Sequence, residues 1–370
     1  MPALYLDYNA TAPLRDAALA AMTASLRQPG NPSSVHRFGR QARRLLEEAR
    51  DAVARSVGAS PAGVIFTSGG TEANNLALGA FPGRRRLASA VEHPSVLKAG
   101  VERIVAVDRD GVIDLAALEA ELAADSQPAL VSVMLANNET GVIQPVAAVA
   151  DLAHRYGALV HCDAVQALGK QQIEIRGLGL DLVSLSAHKI GGPAGVGALV
   201  LADPDREVAP LLRGGGQEKS RRAGTENLSG ICGFAAALAD LGDIAAEAAR
   251  LAALRDRLER ACRSALPSLV IFGERAARLP NGSCLALPGI SAQTLLMALD
   301  LEEIAVSAGS ACSSGKLAPS PVLLAMGEEA LAGSAIRVSL GWATTESEIE
   351  DFIARFPVVA GRLALGHRAA

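Results

Sequence analysis

From about residue 60 to residue 215 the chain alternates short apolar runs with segments of helical composition, and this alternation narrows the fold more than any other feature. "GVIFTSGG" is followed by "TEANNLALGAF", "RRLASAVEH" by "PSVLKAGV", and "ALVSVMLANNETG" by a helical stretch near "PVAAVADLAHRYG". "ALVHCDAVQ", "DLVSLSAHK" and "VGALVLA" supply further runs. Apolar strands that alternate with helices predict an α/β domain whose mainly parallel sheet is covered on both faces. A chain of 370 residues is long enough for a second domain as well. The stretch from Ile231 to Ala265, rich in Ala, Leu, Glu and Arg, predicts one long helix or two joined helices leading into it. That domain would hold "GSCLALPG", a helix over "SAQTLLMALD", the loop "SAGSACSSG" and the strand "AIRVSLG". The closing stretch "ESEIEDFIARFPVVAGRLALGH" reads as an amphipathic helix.

Polar residues gather at the carboxyl ends of the apolar runs, where open α/β sheets bind ligands. Gly69, Gly70 and Thr71 follow "VIFTS", and Glu92 and His93 follow "LASAV". Asn137, Asn138, Glu139 and Thr140 follow "LVSVMLA"; Asp163 and Gln166 follow "ALVHC"; Ser186, His188 and Lys189 follow "LVSL". Singly, such residues are ordinary: a strand-end Asp is most often a helix cap, and a lone His is usually structural. Five polar ends in succession describe a site.

The glycines before Thr71 leave backbone N–H groups at a helix N-terminus, which favours an anion such as phosphate. Thr71, Ser186 and His188 are in position to add side-chain donors, while Thr71-Glu72 also serves as a helix start. "HKIGGPAGVG" lacks the dinucleotide spacing and "GGGQEKS" fails the P-loop pattern, so a nucleotide enzyme has little support. A phosphate cradle, a carboxylate and a lysine together suit pyridoxal 5′-phosphate. Asp163 would keep the pyridinium nitrogen protonated and Lys189 would form the Schiff base. Desolvation at a strand end lowers an amine's pKa and makes it more nucleophilic.

Composition excludes several alternatives. The net charge of −4 argues against a nucleic-acid footprint. No apolar run approaches the roughly 20 residues of a membrane span. The opening "MPALYLDYNATAP" lacks the basic and apolar regions of a secretion signal. Cys162, Cys232, Cys262, Cys284 and Cys312 are scattered, with no C-x-x-C pair, which predicts reduced thiols in a cytoplasmic protein and no zinc or other metal site.

The chain resembles the class V pyridoxal-phosphate enzymes, and within them the cysteine desulfurases of the NifS/IscS type. The likeness is carried by "YLDYNATAP", "NPSSVHRFG", "IFTSGGTEANNLAL", "EHPSVL", "NNETGVIQP", "HCDAVQALGK", "SLSAHKIGGPAGVGAL", "GGGQEKSRRAGTEN", "SAGSACSSG" and "AIRVSLG". It implies a fold-type I transferase with a large cofactor-binding domain over 14–250 and a smaller α+β domain over 1–13 and 251–370. Lys189 would bond the cofactor, and His93 would stack on its ring and move protons. Asn138 and Gln166 would contact ring substituents, Asp163 the ring nitrogen, and Gly70, Thr71, Ser186 and His188 the phosphate. Thr225 would reach the phosphate of a partner subunit, implying a homodimer with shared sites. Arg337 would clamp the substrate carboxylate, with Asn9, Asn31 and Asn138 near the substrate.

Cys312 separates desulfurases from their relatives. The usual fate of a cysteine is a small buried hydrophobe, the reading applied to the other four. Around Cys312 stand serines, glycines and alanines, which offer nothing apolar to bury it and suit a thiol that must move. The resemblance implies conversion of L-cysteine to L-alanine with sulfur held on Cys312 as a persulfide. A sulfur-acceptor protein, an iron–sulfur scaffold being one candidate, would receive it. A selenocysteine lyase or another class V aminotransferase is the alternative enzyme, and a silent scaffold the alternative of another class. "PNGSCLAL" departs from the family's usual Pro-Asn-Ile segment, so packing in the smaller domain is expected to differ.

Overall fold

The computed structural model describes residues 3–309 and 318–368. Strand β1 (Leu4–Tyr5) is followed by helices α1 (Asp16–Leu26) and α2 (Arg37–Ser56). The alternating region then runs β2 (Val64–Thr67), α3 (Gly70–Gly79), β3 (Arg85–Ser89), α4 (Pro94–Leu97), β4 (Arg103–Val105), α5 (Leu115–Ala123), β5 (Ala129–Ser132), α6 (Val146–Arg155), β6 (Leu159–Asp163), β7 (Leu182–Ser186) and β8 (Gly197–Leu201). These seven strands, β2 to β8, form one sheet in the order β2-β8-β7-β6-β5-β3-β4.

Every residue of β5, β6, β7 and β8 is buried, which is why these strands read as continuous apolar runs. The sheet is parallel except at β8, which is antiparallel to both β7 and β2. Connection length explains the reversal. Only residues 187–196 join β7 to β8, and a parallel return needs a crossover of about a dozen residues or more. Gly191 and Gly195, at φ +80° and +81°, turn the chain there. In α2, buried Ala42, Leu46, Ala49 and Val53 recur at helical spacing, and the last three join the sheet's core.

The expected bridge is two helices, α7 (Leu228–Ala239) and α8 (Ile244–Ala265), bent by 78°. Gly242 takes φ +68°, and the Asp243 side chain accepts from the N–H groups of Ala245 and Ala246, so a new helix is capped where the old one stops. Beyond it come β9 (Val270–Phe272), β10 (Gly282–Ala286), α9 (Ala292–Leu301), β11 (Ile304–Ala305), β12 (Ser307–Ala308), α10 (Pro321–Ala325), β13 (Ala335–Ser339) and α11 (Glu346–Arg368).

Strands β12-β13-β10-β9 make an antiparallel sheet, and β1 pairs with β11. A second core gathers Leu251, Leu254 and Leu258 of α8 with Phe352 and Phe356 of α11, and Leu4 and Leu6 join it. Among the described residues no single helix is long and apolar enough to cross a membrane.

Candidate active site

A cavity of about 460 Å³ opens where the carboxyl ends of the large sheet face the smaller one. Lys189 reaches it from a single 3-10 turn, Ala187–Lys189, at the end of β7. The N-terminal segment is laced along this turn: Ala12 N–H donates to His188 O and Arg15 N–H to Gly191 O. That lacing presents two carbonyls to the lysine, whose Nζ donates to Asn9 O (2.6 Å) and Ala10 O (2.8 Å). Burial, with the Arg337 charge nearby and only partial compensation by Asp163 and Asp7, lowers the amine to about 8.

Asp163 closes β6 and is 7 % exposed. Its Oδ1 accepts from Val165 N–H (3.0 Å) and its Oδ2 from Asn74 Nδ2 (2.7 Å), leaving lone pairs for a further donor. Asn74 Nδ2 also donates to Ser95 Oγ (2.9 Å), which lies 2.7 Å from His93 Nδ1. Because Ser95 N–H donates to that same Nδ1, a neutral His93 carries its proton on Nε2. Burial lowers the His93 pKa, the nearby Lys189 lowers it further, and Asp163 opposes both.

At the other end, Gly69 at φ +149° caps α3 without a side-chain hydrogen bond, so the helix's first N–H groups have no side-chain cap. A Cβ on Gly70 would lie 2.7 Å from Val165 Cγ2, so a larger residue there would have to displace that wall. Thr71, Ser186 and His188 line the same end. His188 Nδ1 lies 2.7 Å from Thr11 Oγ1, and burial together with Lys189 lowers its pKa to about 4. A neutral ring that accepts from Thr11 presents Nε2–H as a donor.

Arg337, on β13 and 5 % exposed, donates through Nη1 to Asn138 O (3.0 Å) and through Nη2 to Asp7 Oδ1 (2.9 Å). Gln166 Nε2 donates to Asn9 O (2.9 Å). Of the residues singled out in the sequence, Asn9, Gly70, Thr71, His93, Asn138, Asp163, Gln166, Ser186, His188, Lys189 and Arg337 line one cavity. Asn31 and Thr225 are exposed and outside it; Asn31 Oδ1 accepts from Ser33 N–H. Cys312 lies outside the described residues.

The sequence reading missed Asn74, Ser95, Asp7 and Lys170. Lys170 Nζ donates to Asn9 Oδ1 (3.0 Å) and Gln166 Oε1 (3.1 Å), and burial, with Lys189 and Arg337 adding to it, lowers its pKa to about 7. Glu92, in the same wall, is pushed well above the carboxylate range by burial, with Asp163 adding to the rise.

These groups fit pyridoxal 5′-phosphate. Buried atoms without a partner among the described residues cluster here: Asn9 Nδ2, Asn74 Oδ1, Glu92 Oε2 and Arg337 Nε. Such orphans are costly unless a bound group or water satisfies them. Lys189 would hold the cofactor covalently, Asp163 its ring nitrogen, and the N-terminus of α3 with Ser186 and His188 its phosphate. Among the described residues no group of three or more His, Cys, Asp or Glu is placed to bind a metal ion.

Comparison with known proteins agrees with this geometry. The cysteine desulfurase of Cereibacter sphaeroides is 45 % identical, over 98 % of this chain and 97 % of that protein. The cysteine desulfurase IscS of Dictyoglomus turgidum is 41 % identical, over 94 % of this chain and 91 % of its own length. The solved structure of a NifS-like protein from Rickettsia africae superposes with a TM-score of 0.91 at 36 % identity, covering 97 % of this chain and all of the other. The sequence pattern described as aminotransferase class-V matches residues 4–352, so the chain belongs to the class-V aminotransferase family, whose cofactor is pyridoxal 5′-phosphate.

Proposed function

We propose that this protein is a cysteine desulfurase. It converts L-cysteine to L-alanine and holds the sulfur on Cys312 as a persulfide for iron–sulfur cluster assembly or a related delivery. The observation that carries the proposal is the route of the chain. Ser307, Ala308 and Gly309 line the cavity beside Lys189 and Arg337, and Cys312 follows three residues after Gly309. The thiol's tether therefore starts at the cavity wall.

Pyridoxal 5′-phosphate, held on Lys189 until the substrate's amine takes the lysine's place, would supply an electron-withdrawing ring linked to the substrate's Cα through that amino nitrogen. The chain's own residues do the rest. Arg337 pairs with the substrate carboxylate, its guanidinium already oriented by Asp7 and Asn138 O. The Lys189 amine, held near neutrality, takes and returns the proton at Cα. His93, on the same cavity wall with its Nδ1 taken by Ser95 N–H, would offer Nε2–H as a second proton-carrying group. In the net reaction the substrate's C–S bond breaks and an S–S bond to Cys312 forms. The Cys312 thiol proton ends on the former Cβ, now a methyl group, and the substrate's S–H proton stays on the persulfide.

An acceptor protein then removes the terminal sulfur, and the enzyme acts as a cytoplasmic homodimer in which Thr225 completes the partner's site. Mass spectrometry after incubation with L-cysteine should find one added sulfur atom on Cys312. Cys312→Ala should abolish steady-state alanine release. Alanine release undiminished in that variant would show that sulfur does not pass through Cys312.

A further inference from the structure

Residues 310–317, with Cys312 among them, lie outside the described residues, but two residues that flank this segment in the chain are described. These are Gly309, directly after β12, and Ser320, directly before α10. Both belong to the smaller sheet's surroundings. The side chain that touches both comes from the other sheet.

Glu139 is 4 % exposed and sits in the turn that follows β5. That turn is rigidly tied. Asn137 Oδ1 accepts the N–H groups of Glu139 and Thr140 at 2.9 Å each, and Asn137 Nδ2 donates to Val91 O (3.0 Å). Gly141 takes φ +77° to close the turn. From this base Glu139 Oε2 accepts the Ser320 hydroxyl at 2.5 Å. Ser320 is itself fixed, its N–H donating to Ala332 O and its Oγ accepting from Leu323 N–H as the cap of α10. At the other root, a Cβ on Gly309 would overlap the Glu139 carboxylate, so the backbone there lies bare against it. Two residues earlier, Ser307 Oγ donates to Asp7 Oδ2 (2.7 Å), the carboxylate that also holds Arg337.

We propose that Glu139 is a positioning residue that clasps both roots of the Cys312 segment to the sheet bearing Lys189 and Asp163. The inference rests on the sulfur-carrying role of Cys312 proposed above. A tether of fixed length delivers its thiol to the substrate's sulfur only if both ends are fixed relative to the cofactor. A misplacement of about 1 Å costs on the order of a hundredfold in rate. Asn138, next in the chain, lines the cavity, so the same turn serves cofactor and tether.

The test compares Ser320→Ala, Gly309→Ala and Ser320→Thr in the cofactor-loaded enzyme. Ser320→Ala removes the hydrogen bond to Glu139, together with the α10 cap to Leu323 N–H, without disturbing the turn that holds Asn138, and Gly309→Ala pushes the opposite root away. Two quantities are read: the single-turnover rate of sulfur appearance on Cys312, and the affinity for L-alanine from the cofactor's absorbance. L-Alanine carries no sulfur and so reports binding without transfer.

The clasp predicts that Ser320→Ala slows sulfur transfer roughly tenfold to a hundredfold. L-Alanine affinity should stay within about twofold in Ser320→Ala, Gly309→Ala should slow transfer likewise, and Ser320→Thr should restore transfer. Wild-type transfer in Ser320→Ala would overturn the clasp, as would equal losses of transfer and alanine affinity. Cys312→Ala, run alongside, separates the two levels. Alanine release persisting there removes the sulfur-carrying reading itself, whatever the Ser320 variants do.

Discussion

Lys189 is a poor place for a cation, and that is its use. Burial and Arg337 together bring the amine to about 8, against about 10.4 for a free lysine. Only the unprotonated amine attacks an aldehyde. The rate at which cofactor-free protein takes up pyridoxal 5′-phosphate should therefore rise with pH and level off just above pH 8. An ordinary lysine would keep accelerating toward about pH 10. Stopped-flow absorbance across that range checks this, and continued acceleration above pH 9 would refute a depressed amine. Lys189→Ala should leave the protein without covalently held cofactor at any pH. Lys189, Asp163 and His93 were legible because each is a polar residue abruptly ending an apolar run. Asn74 and Ser95 were not, because each lies within or at the start of a helix, where polar residues are commonplace. Only the fold turns Asn74 toward Asp163, and Ser95 meets His93 as a local helix cap. Lys170 follows a glycine after a short turn and reads as a solvated lysine; the docking of Asn9 from the N-terminus is what encloses it.

Among the elements, the apolar runs declared the strands but not their direction. "VGALVLA" reads alike in a parallel or an antiparallel strand, and the short β7–β8 link decides the matter. Helix α1 escaped the reading because it buries only Ala18 and Ser25, which signal weakly; α2 carries a clear helical spacing in Ala42, Leu46, Ala49 and Val53 that lies outside the alternating region on which the reading rests. The segment Glu218–Ser220 carries a constraint no pattern reveals: three successive non-glycine residues with φ of 47°, 56° and 62°. What holds them is Glu218, whose carboxylate pairs with Arg50 at 2.7 Å through two nitrogens and accepts Phe66 N–H at 3.0 Å. Both side chains of the pair are buried. Glu218→Ala removes the buried carboxylate from Arg50, leaving the half-exposed Glu47 as its remaining ion-pair partner, and should cost about 3 kcal/mol in urea unfolding. Ser220→Gly should act oppositely. It removes a left-handed strain of about 1–2 kcal/mol and adds unfolded-chain entropy worth about 0.4–1 kcal/mol, for a net gain of roughly 0.5–1 kcal/mol. A Ser220→Gly protein less stable than wild type would mean that the serine hydroxyl contributes more than the strain costs.

The whole molecule poses the question of why two residues implicated in the site stand apart from it. Asn31 and Thr225 are both exposed in the single chain. Asn31 lies between Leu26, Val35 and Phe38, which are 71 %, 88 % and 50 % exposed. Exposed apolar side chains of this size suit a surface that the proposed second copy would cover. A two-fold assembly over this surface would bury them and carry Thr225 to the partner's phosphate site. Sedimentation should then give twice the mass of the chain, and Phe38→Glu should shift it toward monomer. Shared sites make a sharper demand. In a mixed dimer of Lys189→Ala and Thr225→Ala chains, one site receives both substitutions and the other receives neither. Co-expressed, differently tagged chains purified as the mixed dimer should therefore bind cofactor covalently at half of the sites, with wild-type affinity. If Thr225 served its own chain, each site would carry one substitution and no site of wild-type affinity would exist. Titration of the mixed dimer with pyridoxal 5′-phosphate, set beside the Thr225→Ala homodimer, separates the two arrangements directly.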